Sequence, residues 1–171
     1  MTPVRAAVVD HGAGNLVSVR AALEAAGADV TIATRPAGLA GASLIVVPGV
    51  GASRPAMARL RRSGLDDAIR AALAGGAWYL GICLGLQLLF ERSEEDGANL
   101  LGLLGGTVRP IAGAPRLPHI GWNAIERRRG HALLEGIPDG AAADFVHSFA
   151  GVPDDFQRPP QGEVDKRRPI R

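Results

Sequence analysis

At 171 residues and 47% hydrophobic content, the chain is long enough for one packed domain and too short for two of ordinary size. Nineteen basic residues against seventeen acidic ones leave a formal charge of +2, and with aromatics at only 4% neither a nucleic-acid footprint nor a base-stacking surface is expected. The single cysteine excludes an internal disulfide, no apolar run reaches membrane-spanning length, and MTPVRAAVVDHGAGN lacks the apolar core and cleavage site of a secretory signal, so a cytoplasmic protein with no membrane partner is expected.

VRAAVVD (residues 4–10) is a compact apolar run, and the HGAGN after it leads into Leu16, Val19, Ala22 and Leu23 at helical spacing, which reads as strand, glycine turn, helix. Gly27 ends that helix, DVTIAT (29–34) alternates as a second strand, and SLIVVPGVGA (43–52) is a wholly apolar strand that runs into glycines. A helical stretch from Met57 to Leu73 is interrupted near Gly64 and closes at Gly75-Gly76. AWYLGI (77–82) gives a fourth strand, Cys83 follows, and LGLQLLFERS (84–93) is expected to be its helix.

Alternating apolar strands and amphipathic helices predict an α/β fold, a mostly parallel sheet flanked by helices, and sites in such sheets gather at the carboxyl ends of the strands. Each strand end here is unusual: Asp10-His11-Gly12, Pro48-Gly49-Val50-Gly51 and Gly81-Ile82-Cys83. Past Leu100 the pieces shorten to GGTVRPI, LPHIGWNAIER and AADFVHSFA, a strand-rich second half of the same domain, residues 1–150. From Gly151 to Arg171 the chain is rich in proline and charge and has no apolar periodicity, so a disordered tail is expected.

Gly81-x-Cys83-x-Gly85 between a strand and a helix has the spacing of a nucleophile elbow, with sulfur in place of a hydroxyl. A sharp strand-to-helix turn lifts the nucleophile out of the sheet, and the residues two before and two after it must be small because helix and neighbouring strand crowd them. The start of a helix also favours a thiolate and turns free N–H groups toward an anion. A buried structural cysteine is the alternative, but two glycines inside a core strand would lose packing without return. The Pro48–Ala52 loop, if it lies beside Cys83, offers a second oxyanion donor to complement the N–H of Leu84. A dinucleotide site at HGAGNLVS is disfavoured, because Val17 stands where glycine or alanine is needed and no acid follows Thr34-Arg35. No metal-ligand spacing is present either, so neither a metal nor a cofactor is expected.

With VVDHGAGNLVSV, PGVGASRPAM, GICLGLQLLFERSEE, LPHIGWN and FVHS in order over residues 4 to about 150, the sequence resembles the class I glutamine amidotransferases, whose fold is flavodoxin-like. Within them it is most similar to the glutaminase subunits of imidazole glycerol phosphate synthase, GAGN and PHIGWN carrying that distinction. The resemblance implies Cys83 as nucleophile, Leu84, Val50 and Gly51 around the oxyanion, and Gly49, Gln87, His147 and Ser148 around glutamine. It implies a heterodimer in which a cyclase partner, built as a (β/α)8 barrel, receives the ammonia, with Asn15, Pro118 and Trp122 toward that partner. On the residues alone, Gln87 reads equally as surface, Trp122 as a core anchor, and His119 and His147 as structural histidines.

Family members carry, further along, a Phe-His-Pro-Glu stretch whose histidine and glutamate complete the catalytic triad. None of the four histidines here, His11, His119, His131 and His147, is followed by Pro-Glu. A change of reading frame after about residue 150 is the expectation that explains both this and the tail. Three readings follow: a glutaminase subunit, an inactive glutaminase-like docking subunit, and another cysteine hydrolase of the same fold.

Overall fold

The computed structural model describes residues 2–113, 116–127 and 130–154, and the described residues divide into two compact units, residues 2–109 with 151–154 and residues 110–150. Residues 110–150 of the strand-rich second half thus form a compact unit of their own.

In the first unit, β1 (Arg5–Val9), β2 (Asp29–Ala33), β3 (Leu44–Gly49) and β4 (Trp78–Cys83) form a parallel sheet in the order β2-β1-β3-β4. The two central strands carry the apolar runs: Ala6 to Val9 and Ile45 to Val47 are all buried, as strands covered on both faces require. From β1 the chain crosses to one edge of the sheet and from β3 to the other, so the strand order reverses between β1 and β3. The crevice beyond their carboxyl ends is where such sheets hold ligands.

Each helix has a local cause. In α1 (Leu16–Ala25), Asn15 is the N-cap, its Oδ1 accepting the Ser18 N–H at 3.1 Å, and Gly27 at φ 83° lets the chain leave. The helical stretch expected from Met57 begins four residues earlier, as α2 (Ser53–Ser63), and breaks where expected. Gly64 adopts φ 71° and ψ 12°, closing α2 with its N–H on Arg61 O and opening α3 (Leu65–Ala74). Asp66 and Asp67 lie in the first turn of α3, where the helix dipole favours them. Met57, Leu60, Leu65 and Ile69 bury the apolar sides of this pair.

The helix expected over 84–93 is much shorter. After α4 (Leu84–Gln87) the chain tightens, Leu89 N–H reaching Leu86 O and Phe90 N–H reaching Gln87 O, both at 3.2 Å. It then enters β5 (Arg92–Ser93), which pairs in parallel with β6 (Gly106–Pro110). Competition from that strand pairing, invisible in a local apolar pattern, ends the helix.

β5 and β6 join β9 (Phe149–Pro153) in a three-stranded sheet in the order β5-β6-β9. The domain end expected at residue 150 thus falls inside a strand, and Gly151 packs so closely on the Phe90 ring that a Cβ there would overlap it. Beyond Asp154 the expected tail lies outside the described residues.

The second unit is an antiparallel hairpin of β7 (His119–Ala124) and β8 (Ala142–His147), paired from His119↔His147 to Ala124↔Ala142. Alternation gives it two faces. Ile120, Trp122 and Val146 are exposed on one, while His119, Phe145 and His147 are half-buried on the other, the two imidazoles meeting edge to face at 6.0 Å.

Candidate active site

Cys83 closes β4 at φ 54°, ψ −113°, and it alone among the described non-glycine residues has a positive φ. An L-residue holds that conformation only where its surroundings over-determine it, and such strain is concentrated at functional turns. Here the surroundings are its two glycines. A Cβ on Gly81 would overlap the backbone of Leu86, and one on Gly85 would overlap the Val47 carbonyl of β3, so both positions exclude any side chain. The helix start thereby lies directly against the neighbouring strand and the thiol faces solvent.

Tyr79 supports the same turn from within β4. Its hydroxyl donates to Gly85 O at 2.8 Å, supplying a carbonyl at the start of α4 that the truncated helix serves poorly. Burial pushes the Tyr79 phenol well above its ordinary value, which keeps the proton, and with it the donor, in place. Tyr79 was not among the expected site residues; the signal for it is a tyrosine in an apolar strand, since a phenol taken out of water usually finds a partner.

The glycine loop adjoins the cysteine turn. Gly49 is the register partner of Cys83 across β3 and β4, and a Cβ on Gly49 would stand 3.1 Å from the Leu84 Cβ. Leu84 is buried and anchors the start of α4. Val50 is exposed, and Gly51, at φ 86°, has open space above it. Gln87, one turn along, is half-buried and engaged in an interaction of its own. The sequence thus brings Cys83, Leu84, Gly49, Val50 and Gly51 to one end of the sheet.

Asn15 serves α1 as its N-cap and is exposed. The other expected residues belong to the second unit. Pro118 follows a cis Leu117–Pro118 bond and is exposed, and Trp122, 74% exposed, is no core anchor. His147 donates from Nδ1 to Phe149 O at 3.0 Å, and Ser148 O accepts the Ile111 N–H at 3.0 Å. The remaining histidines are engaged too: His119 Nε2 with Asn123 Oδ1 at 3.1 Å, His131 Nδ1 accepting Leu133 N–H at 3.1 Å, and His11 Nε2 donating to Pro48 O at 2.8 Å.

The model of the family described as glutamine amidotransferase class-I matches residues 7–163. The chain is 50% identical over 159 residues to the imidazole glycerol phosphate synthase subunit HisH of Synechococcus sp. (strain JA-2-3B'a(2-13)), a match covering 91% of this chain and 72% of that one. It is 49% identical over 146 residues to the HisH subunit of Xanthomonas euvesicatoria pv. vesicatoria (strain 85-10), covering 84% and 72%. Among solved structures it is similar in fold to a glutamine amidotransferase, with TM-score 0.67 and 21% identity over 85% of this chain and 72% of that one. The chain belongs to the class I glutamine amidotransferase family and, within it, to the HisH subunits of imidazole glycerol phosphate synthase.

Proposed function

We propose that the chain is the glutaminase subunit of an imidazole glycerol phosphate synthase, hydrolysing glutamine to glutamate and ammonia and passing the ammonia to a cyclase subunit in histidine biosynthesis. The observation that carries this is the strained, solvent-facing Cys83 with the Gly49 loop paired beside it. In the first step the Cys83 thiolate attacks the side-chain amide carbon of glutamine. The carbonyl electrons move to oxygen, where the N–H of Leu84 and of the Val50–Gly51 loop stabilise them. Collapse of the tetrahedral adduct expels the nitrogen, protonated to ammonia by the proton that left the thiol, and leaves a glutamyl thioester. Water cleaves the thioester to glutamate and restores the thiol.

On this reading Gly49, Gln87, His147 and Ser148 hold the glutamine, Asn15, Pro118 and Trp122 face the cyclase subunit, and the protein works in the cytoplasm, a reducing compartment that preserves a thiol nucleophile. Among the described residues no helix is long and apolar enough to cross a membrane. The test is glutamate release from glutamine by the chain mixed with a cyclase subunit. Activity lost in Cys83→Ala supports the reading; equal release by that variant sinks it.

The histidines favour a second reading. All four rings hold hydrogen bonds to groups other than Cys83, and no Pro-Glu follows any of them. A positioned general base contributes about 10²–10⁴-fold in rate. Turnover slower by that factor than with a histidine free to serve Cys83 is the mark of this second reading, and a rate at the bare-water level would make the protein a docking subunit.

A further inference from the structure

We propose that His11 is a positioning residue of the oxyanion loop, a role that rests on the glutaminase reading. His11 closes the β1 end of the crevice and is 3% exposed. Its Nε2 lies 2.8 Å from Pro48 O, and because a carbonyl oxygen only accepts, Nε2 carries the proton and donates. Its Nδ1 is buried without a hydrogen-bond partner. An unsatisfied buried nitrogen costs stability, and an apolar side chain would fill the same space without it. The imidazole is retained for what Nε2 does.

What Nε2 does is fix one peptide. Pro48 O and the Gly49 N–H belong to the same planar unit and point in opposite directions, so holding the carbonyl sets the direction of the N–H. Gly49 has room for nothing else: a Cβ there would stand 3.1 Å from His11 Nε2 on one side and 3.1 Å from Leu84 Cβ on the other. Gly14, at φ 129°, covers the same residue, its own Cβ position 3.5 Å from Gly49 Cα. The loop that carries His11 is itself held, by the Asp10 carboxylate accepting the Gly12 N–H at 2.8 Å and by Arg59 donating to Gly12 O at 3.2 Å. Beyond Gly49 the support ends, with Val50 exposed and a glycine next to it. The peptides that must present donors to the oxyanion therefore take their orientation from the Pro48–Gly49 unit, and His11 sets it.

Cys83 is the only cysteine, so its alkylation can be followed directly. The experiment compares a chloroketone analogue of glutamine with iodoacetamide on the full chain and on His11→Phe, His11→Asn and His11→Gln. In both reactions sulfur displaces halide and a thioether forms, but only the chloroketone places a carbonyl oxygen in the oxyanion loop. The proposal expects the chloroketone rate to fall about tenfold or more in His11→Phe and His11→Asn, the second being too short to reach Pro48 O, with iodoacetamide changed less than about twofold. His11→Gln, whose amide can donate at that distance, should recover most of the rate. Chloroketone rates at the unsubstituted level in all three variants, or both reagents slowed in proportion, would overturn it. If the unsubstituted chain reacts with iodoacetamide and not with the chloroketone, the glutaminase reading fails and this role fails with it.

Discussion

Cys83 adopts a backbone conformation that is stable only because nothing larger than hydrogen is present at Gly81 and Gly85. Gly85→Ala should consequently cost about 3 kcal/mol or more, at the severe end of single substitutions, measured as a drop in the urea midpoint. Gly51→Ala, which meets open space, should cost only the positive-φ strain of about 1–2 kcal/mol. Tyr79 gives a pH prediction whose sign follows from linkage. Its folded pKa is raised above the unfolded value of about 10, so the stability it contributes is fully present below pH 10 and is lost as pH rises further. It is the only tyrosine, so tyrosinate absorbance should stay absent until the protein unfolds in alkali, and Tyr79→Phe should reduce the alkaline loss of stability. Tyrosinate appearing at about pH 10 in the folded protein would show the phenol to be open to water. At this level the glycine spacing announced the elbow in advance. Tyr79 and His11 were not announced, because their roles rest on hydrogen bonds to Gly85 and Pro48, one across a turn and one from the loop after β1 to β3.

The four parallel strands and three of the helices follow from patterns that local sequence carries: apolar runs for β1 and β3, the Asn15 cap, and the Gly64 stop. Gly64 also gives a test, since it must be left-handed to end α2 and start α3 at once. Gly64→Ala should destabilise by about 1 kcal/mol, read as a lower melting temperature, and no change would mean the junction can rearrange. The extent of α4 could not be read locally. Leu88, Leu89 and Phe90 continue a helical pattern on paper, but Arg92 and Ser93 find strand partners in Thr107 and Val108, and a partner fifteen residues away leaves no mark on the helix itself. The extent of β9 could not be read locally for the same reason. Gly151 to Pro153 look like the start of a polar tail, yet they extend β9, with the packing of Gly151 on Phe90 helping to hold them.

Taken as a whole, the molecule places Cys83 and the Gly49–Gly51 loop side by side at one end of a parallel sheet, and each of its four histidines holds a hydrogen bond to a group other than Cys83. The family was legible from short motifs spread over the chain, whereas the assignment of residues 110–150 to a unit of their own was not, since alternating strands look alike whether or not they join the first sheet. Attack of Cys83 on glutamine is tested most directly by mixing the chain with glutamine, quenching with acid and mapping Cys83 by mass spectrometry. The expected result is a glutamyl thioester on Cys83 that forms with glutamine, does not form with asparagine and is absent from Cys83→Ala. An unmodified Cys83 after prolonged incubation with saturating glutamine and a cyclase subunit would contradict it.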